Sequence, residues 1–163
     1  MPRAFHIDYL AENAELIPLL AQWHHAEWPL ASAPLVEDRI ELIRNRLGRR
    51  EMPTTLVAVR DANPLGFVSL VSNNMDSHPE LFPWLASLYV PPPLRRQGIG
   101  TALVKAILEK AQALPVRHLY LFTPSQNAFY ERLGWHAIFH ENYHGENVTV
   151  MEFEFAPALK PTQ

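Results

Sequence analysis

Two glycines that follow an arginine pair form the part of this sequence best suited to hold an anion. The segment reads Arg95-Arg-Gln-Gly98-Ile-Gly100, and an apolar run with helical periodicity continues from it. Because glycine has no Cβ, a ligand can approach the backbone closely there. Free amide N–H groups at the start of a helix, together with the positive end of the helix dipole, attract negative charge. The spacing therefore predicts a turn that binds phosphate.

A strand and a helix must hold this turn in place. The apolar stretch from Leu85 to Val90 predicts a buried strand, and the residues from Gly98 to Leu114 predict an amphipathic helix that ends before Pro115. The buried face of that helix is predicted to comprise Ile99, Leu103, Val104, Ile107, Leu108 and Ala111. The next predicted strand, His118 to Thr123, should run parallel to the first, because strand–helix–strand units form right-handed parallel crossovers.

The elements before and after this unit complete one fold. Further strands are predicted at residues 4–10, 54–60, 65–71, 135–141 and 147–155, and further helices at 14–27, 36–47 and 125–133. Gly48 is predicted to end the second helix, and Asp61-Ala-Asn63-Pro64 to form a hairpin turn. The order β-α-α-β-β-β-α-β-α-β-β predicts an α/β (α+β) fold whose central mixed sheet is flanked by helices on both faces.

Length and composition indicate a single domain over residues 1–163. Hydrophobic residues make up 48% of the chain and charged residues 19%, which is typical of a globular protein. A chain of this length can bury a sizeable core. The core is predicted to span about residues 4–155, with a loose tail from Ala156.

The composition disfavours several classes of protein. A net charge of −3 provides no basic field for nucleic acid or anionic lipid. The absence of cysteine excludes disulfides, thiolate metal sites and a cysteine nucleophile. No apolar run reaches the ~18 residues of a membrane span, and no signal peptide is evident, so we expect a cytoplasmic protein without a membrane partner. The histidines lack metal-ligand spacing, so no metal is expected.

Two nucleotide-binding motifs are also disfavoured. A dinucleotide fingerprint needs a third glycine where this chain has Leu103, and an acidic residue at the end of the next strand. A nucleoside-triphosphate loop needs a Gly-Lys-Ser/Thr step, which the chain lacks.

Two motifs in the chain resemble those of the GNAT (GCN5-related) N-acetyltransferases. The first is Leu88-Tyr-Val-x-Pro-x-x-Arg95-Arg-Gln-Gly98-Ile-Gly100-x-x-Leu103. The second is Phe129-Tyr130-Glu-Arg-Leu-Gly134-Trp135, in which an aromatic pair precedes a glycine–aromatic step. The order of elements agrees with that family along nearly the whole chain. The resemblance therefore extends to fold as well as to motif.

The resemblance implies acetyl-CoA as donor of an acetyl group to a primary amine, by direct attack in a ternary complex. It assigns the pyrophosphate to the turn, Arg95, Arg96, Gln97, Gly98, Ile99, Gly100 and Thr101, and the pantetheine arm to the strand Leu88, Tyr89 and Val90. It makes Tyr130 the proton donor to the departing thiolate. Many members carry an asparagine where this chain has Thr123, and Asn127 lies out of register. A non-catalytic acyl-CoA-binding regulatory module on the same fold therefore stays open as the alternative.

The general base and the acceptor are left open by the motifs. An amine attacks a thioester only when neutral, so a base or a water path is needed. The candidates for the base are His78 and Glu80, with Asp76 and, more weakly, Glu27. The acceptor is a small molecule, a protein N-terminus or a lysine; Trp28-Pro29 faintly resembles a subgroup that acetylates protein α-amino groups. The arginines that would bind an acidic acceptor are Arg44, Arg46, Arg49 and Arg50. A second copy of the chain, in a homodimer, is a further candidate partner.

Overall fold

The computed structural model describes residues 4–157, and within them the predicted order of elements is confirmed. The strands are β1 (His6–Tyr9), β2 (Thr54–Arg60), β3 (Asn63–Val71), β4 (Trp84–Tyr89), β5 (His118–Thr123), β6 (His136–Tyr143) and β7 (Glu146–Glu154). The helices are α1 (Ile17–Glu27), α2 (Val36–Arg44), α3 (Ile99–Gln112) and α4 (Asn127–Glu131). The strands form one mixed sheet in the order β1-β2-β3-β4-β5-β7-β6. Most of the predicted tail lies outside the described residues.

Helices cover both faces of this sheet, as predicted. Side chains alternate between the two faces of a strand, so neighbouring residues of β2 enter different cores. Leu56 and Ala58 pack in the core that contains the buried side of α3. Val57 and Val59 pack with α1 and α2 on the opposite face. The near-continuous burial of β2 and β3 follows from this double cover.

The predicted role of Gly48 as the end of the second helix is wrong. The helix α2 ends at Arg44, and Asn45 caps it. Gly48 instead forms a bridge with Thr54, and its N–H donates to the Pro53 carbonyl at 2.9 Å. A Cβ at Gly48 would lie 2.2 Å from the Glu51 carbonyl oxygen, so close backbone approach explains the glycine. The hairpin turn is also shorter than predicted, because β3 begins at Asn63.

A gap opens between β4 and β5, the parallel pair at the centre of the sheet. These strands share one register pair, Trp84 with Tyr120, and the Tyr120 N–H donates to the Pro83 carbonyl at 3.0 Å. On its other edge, β4 pairs with β3 through Ala86 and Tyr89, and the register shifts between those two residues. The extra residues form a bulge, in which Ser87 has a φ of 57°. Beyond Trp84, therefore, the two strands diverge towards their carboxyl ends.

The hairpin of β6 and β7 lies beside this gap. Its turn contains His144 and Gly145, both with positive φ. The Tyr143 hydroxyl accepts a hydrogen bond from the Asp76 N–H at 3.0 Å, and the Tyr143 ring packs edge-on against Phe122 at 5.4 Å between centroids. These contacts attach the hairpin to the loop between β3 and β4 and to β5.

Candidate active site

The turn before α3 presents a row of unbonded backbone amides. Gly98 caps the helix in the left-handed region, with a φ of 82°, and Arg96 has a φ of 64°. Within residues 4–157, no protein oxygen accepts a hydrogen bond from the amides of residues 96–101. The first amides of any helix lack partners inside that helix, and here no side chain caps them. The arrangement is that of an anion-binding helix start.

The two glycines of this turn have different surroundings. A Cβ added to Gly98 would meet no atom within 4 Å, so the space above it is open. A Cβ added to Gly100 would lie 3.6 Å from a ring carbon of Phe129 and 3.9 Å from a methyl group of Val90, which is ordinary contact. Conformation therefore requires glycine at position 98, whereas position 100 lies against the end of β4 and the start of α4.

The side chain of Arg95 turns back onto β4. Its Nε–H donates to the Val90 carbonyl at 2.8 Å, and its guanidinium carbon lies 5.9 Å from the centroid of the Tyr89 ring. Arg96 and Gln97 are exposed on the turn. The structure thus brings together the predicted residues of the turn and of the strand end, with the Val90 carbonyl already occupied.

A cleft of about 460 Å³ occupies the gap between β4 and β5. The carboxyl halves of these two strands and the turn after β5 form its floor. The segment from α1 to the α1–α2 loop, the end of α2 and the β6–β7 turn form its walls. Among the side chains that line the cleft are His24, Glu27, Trp28, Arg46, Ser87, Leu88, Thr123, Tyr130 and Tyr143.

Tyr130 is buried in α4 with its hydroxyl at the cleft. The residue is 7% exposed, and its ring packs edge-on against Phe129 and Trp135 at 5.0 and 5.9 Å between centroids. No described residue forms a hydrogen bond with the hydroxyl, and it is not among the fully buried, unsatisfied polar atoms. Burial raises the pKa of Tyr130 above its ordinary value. The phenol therefore keeps its proton at neutral pH, and its residue lines the cleft.

A histidine from α1 holds the bulge of β4. The Nδ1 atom of His24 accepts a hydrogen bond from Nη1 of Arg39 at 2.9 Å, so the ring proton is on Nε2. That Nε2–H donates to the Ser87 hydroxyl at 3.2 Å. Burial, with the charges of Arg46 and Arg39, lowers the pKa of His24 to about 3. The imidazole is therefore neutral and acts as a fixed donor to Ser87.

The guanidinium of Arg46, in the turn after α2, also contacts Ser87. Its Nη1 donates to the Ser87 hydroxyl at 3.2 Å. Burial lowers the pKa of Arg46 to about 10, which leaves the group charged at neutral pH. No carboxylate in the described part of the chain lies within ion-pair distance of it. Of the other arginines in that cluster, Arg49 pairs with Glu12 outside the cleft.

The first candidates for the base form a chain of contacts away from the cleft. His78 Nε2 lies 2.6 Å from Glu141 Oε1, and His78 Nδ1 lies 3.1 Å from Glu80 Oε1. The hydrogen bond to Glu141 is the largest cause of a raised pKa at His78, followed by that to Glu80. His78, Glu80 and Asp76 are not among the residues that line the cleft. Glu27 does line it, beside Trp28.

The two residues near the family's asparagine position already have partners. The hydroxyl of Thr123 accepts a hydrogen bond from the Gln126 N–H at 3.0 Å, and so shapes the turn that leads into α4. The Asn127 amide donates to the Thr149 hydroxyl on β7 at 3.0 Å. Thr123 lines the cleft, whereas Asn127 does not.

Sequence reasoning did not single out Ser87 or assign His24 to the site. The contact between them joins residues 63 positions apart, and no motif spacing encodes it. One signal was available, because Ser87 is a polar residue inside an otherwise apolar strand.

Two further features bear on the kind of site. Between residues 4 and 157, no group of three or more histidine or acidic side chains is arranged to hold a metal ion. In the same part of the chain, no helix has the length and apolar character needed to cross a membrane.

Comparisons with known proteins agree with this geometry. A model of the acetyltransferase (GNAT) family matches residues 16–135. Among curated proteins, none matches at a significant level. Many solved structures share the fold, among them three acetyltransferases.

Aminoglycoside 6'-N-acetyltransferase complexed with coenzyme A is 18% identical, with a TM-score of 0.71 over 95% of this chain and 99% of that chain. The ribosomal-protein-S18-alanine N-acetyltransferase from Escherichia coli is 19% identical, with a TM-score of 0.70 over 98% and 99%. NAA60 from Arabidopsis thaliana in complex with acetyl-CoA is 17% identical, with a TM-score of 0.69 over 93% and 98%. At such identities these likenesses show the fold alone.

Proposed function

The chain belongs to the GNAT acetyltransferase family, and from that premise we propose that it transfers an acetyl group from acetyl-CoA to a primary amine. The amine attacks directly in a ternary complex, without a covalent enzyme intermediate. One observation carries the proposal: the amides of residues 96–101 have no protein partner in the turn that follows β4, and Leu88 of β4 lines the same cleft as Tyr130.

The residues present fit the donor. The amides from Arg96 to Thr101, with the open space over Gly98, would hold its pyrophosphate. The edge of β4 at Leu88, which faces the gap, would hold its pantetheine arm. Structural neighbours solved with coenzyme A and with acetyl-CoA support acetyl-CoA as the donor.

Bound acetyl-CoA supplies the acetyl group as a thioester. Tyr130 holds its proton at the hydroxyl oxygen, because burial disfavours the charged phenolate. It would give that proton to the sulfur as the carbon–sulfur bond breaks and negative charge develops there. Ser87 and Leu88 have no register partner on β3, so their backbone groups remain available at the cleft. A backbone N–H there would favour negative charge on the carbonyl oxygen under attack. The His24 and Arg46 hydrogen bonds to Ser87 hold this segment in place.

The proposal gives the role of base to Glu27. Its carboxylate lines the cleft and would take the proton of the acceptor ammonium directly or through water. His78 and Glu80 instead join the β3–β4 loop to Glu141 on β6, so the proposal treats them as structural.

The acceptor is a primary amine on a small molecule or on a protein, at its N-terminus or a lysine. Neighbours named for an aminoglycoside and for the alanine of a ribosomal protein support an amine acceptor in general terms. An acceptor screen that measures free CoA release is the direct test of the activity. We expect release with at least one amine class, and the absence of release with every class would contradict the proposal.

A non-catalytic acyl-CoA-binding module is the alternative, and binding measurements separate the two. Acetyl-CoA at a hundredfold excess over its Kd should stabilise the fold by about 2.7 kcal/mol in either case. Stabilisation without turnover of any amine would support the module. No stabilisation at all would contradict both functions.

A further inference from the structure

The cleft holds a half-buried cation, Arg46, whose charge has no partner in the proposed transfer. From it we infer that the acceptor is a small amine that also carries a carboxylate, and that Arg46 binds this carboxylate. The inference rests on the proposed function and names the substrate class of the same cleft.

The first argument is the missing counter-charge of Arg46. A buried charge is costly unless an opposite charge or several hydrogen bonds compensate it. The Arg46 side chain has one hydrogen bond, to the Ser87 hydroxyl, and no carboxylate within ion-pair distance in the part of the chain that the structure describes. An anion brought by the ligand would supply the missing charge.

The second argument is the contrast with Arg39, the other arginine beside His24. Arg39 is 1% exposed, and its guanidinium donates to the carbonyls of Ala33 and His24 and to the His24 ring. Those contacts account for Arg39 as a structural residue. A guanidinium has five N–H donors in a planar fork, and Arg46 uses one of them on the protein. The remaining donors suit a carboxylate, which accepts two parallel hydrogen bonds.

The third argument is the position of Arg46 relative to the reacting groups. Arg46 contacts Ser87, the residue next to Leu88 at the bulge of β4, and the same cleft contains Tyr130 and Glu27. A carboxylate on Arg46 would therefore lie in the same cleft as the reacting amine, and an amino acid carries both groups on one small molecule. The protein α-amine and the lysine side chain carry no carboxylate of their own so close to the nitrogen.

An apolar wall of the cleft would contact the rest of such an acceptor. Trp28, Leu30 and Leu42 line the cleft on the side of α1 and α2. Leu30 is 38% exposed, so this wall is open to an incoming apolar group. The best probes are therefore amino acids with apolar side chains, namely L-leucine, L-methionine and L-phenylalanine.

The test compares each amino acid with its carboxamide in three proteins at saturating acetyl-CoA. The proteins are the wild type, Arg46→Gln, and Arg44→Gln as a matched control, because Arg44 is exposed on α2 and does not line the cleft. We expect Arg46→Gln to lower kcat/KM for the amino acid by about 10- to 100-fold, mainly through KM. Its effect on the carboxamide should be several-fold smaller, limited to the loss of the hydrogen bond that helps to hold Ser87 in place. Because the same two amines are compared across variants, their different basicities cancel.

A binding measurement provides a readout besides activity. With CoA present, L-leucine should raise the melting temperature of the wild type and of Arg44→Gln, but not that of Arg46→Gln. Arg46→Lys, which keeps the charge but loses the fork, should show an intermediate loss. It also serves if Arg46→Gln does not fold.

The outcomes separate this inference from the function beneath it. An equal change in kcat/KM for the amino acid and for its carboxamide in Arg46→Gln, or no change for either, would overturn the inference and leave the transferase intact. Preference for an acidic peptide over every amino acid tested would also overturn it. Failure of the proposed function is different: no CoA release would be seen with any acceptor, with or without a carboxylate.

Discussion

At the residue scale, two hydroxyls of the cleft are held in opposite ways. Ser87 accepts hydrogen bonds from His24 and Arg46, so its position is fixed by two other elements. Tyr130 has packed ring faces and a hydroxyl without a described partner. A hydroxyl without a protein partner at a cleft is suited to act on a ligand. A hydroxyl that accepts two hydrogen bonds from the protein is suited to keep neighbouring elements in place.

Replacing Tyr130 by phenylalanine tests its role as the proton donor. We expect kcat to fall by about 10²- to 10⁴-fold, the usual contribution of a positioned acid. Stabilisation by acetyl-CoA should persist, because the hydroxyl supports no other described contact. Steady-state kinetics and thermal shifts measure the two effects, with Tyr120→Phe as a control on β5 outside the cleft. An unchanged kcat, with chemistry shown to limit the rate, would contradict the role.

Glutamine at position 27 or at position 78 distinguishes the two assignments of the base. We expect Glu27→Gln to lower kcat/KM by about 10²-fold or more, because a carboxamide cannot take a proton. His78→Gln should leave the rate nearly unchanged and lower the stability instead, since it breaks the contact with Glu141. Initial rates over a pH series and urea unfolding of both variants measure this. The reverse pattern would restore His78 as the base.

At the element scale, the phosphate turn depends on two glycines for different reasons. Gly98 needs its positive φ, so Gly98→Ala should cost about 1 kcal/mol of stability. Gly100→Ala should leave the stability nearly unchanged, because its Cβ would make ordinary contacts with Phe129 and Val90. Both variants should weaken acetyl-CoA binding if the ligand passes the turn. Wild-type affinity in Gly100→Ala, measured by calorimetry, would argue against that path.

The contact between α1 and β4 should make the fold sensitive to acid. The pKa of His24 is lowered to about 3 in the fold, against an ordinary value near 6.5, so the unfolded chain binds the proton first as the pH falls. This stability is present above about pH 6.5 and is lost as the pH falls towards 3, by about 2 kcal/mol between pH 7.5 and 5.

The variant His24→Asn isolates that effect. The raised pKa of His78 acts with the opposite sign, because its contribution is present at low pH and is lost as the pH rises. Comparing unfolding free energies of wild type and His24→Asn at several pH values removes such shared terms. The variant should show a flatter decline between pH 7.5 and 5. An equal slope in both proteins would show that His24 is not buried as a neutral ring.

The elements were predictable from the sequence to different degrees. The strand β5 has the predicted bounds, because its period-two pattern and the flanking Pro115 and Pro124 mark both ends. The helix α2 ends earlier than predicted, because the apolar Leu47 lies in the segment after the helix. The base candidates at residues 76–80 precede β4 in the chain, yet their partners lie on β6 and in its turn. Such pairings depend on tertiary contact, which periodicity does not encode.

At the scale of the whole molecule, the single sheet both forms the core and, where its two halves separate, forms the cleft. Its half from β1 to β4 is covered on both faces and forms most of the core. The other half, β5 to β7, meets the first through the single register pair at Trp84. The division between them is the cleft, where Leu88, Thr123 and Tyr130 of the predicted site meet the long-range residues His24, Arg46 and Ser87. The predicted turn at residues 95–101 is not part of the cleft lining.

The central claim is that a diphosphate lies on the amides before α3 while the attached arm enters the gap between β4 and β5. The most direct measurement is the shift of backbone amide resonances on titration of the 18.7 kDa protein with acetyl-CoA. We predict that the largest shifts fall on residues 96–101, followed by Leu88 and the segment from Thr123 to Tyr130. Saturable binding that leaves the amides of residues 96–101 unmoved, or no binding at all, would contradict the account.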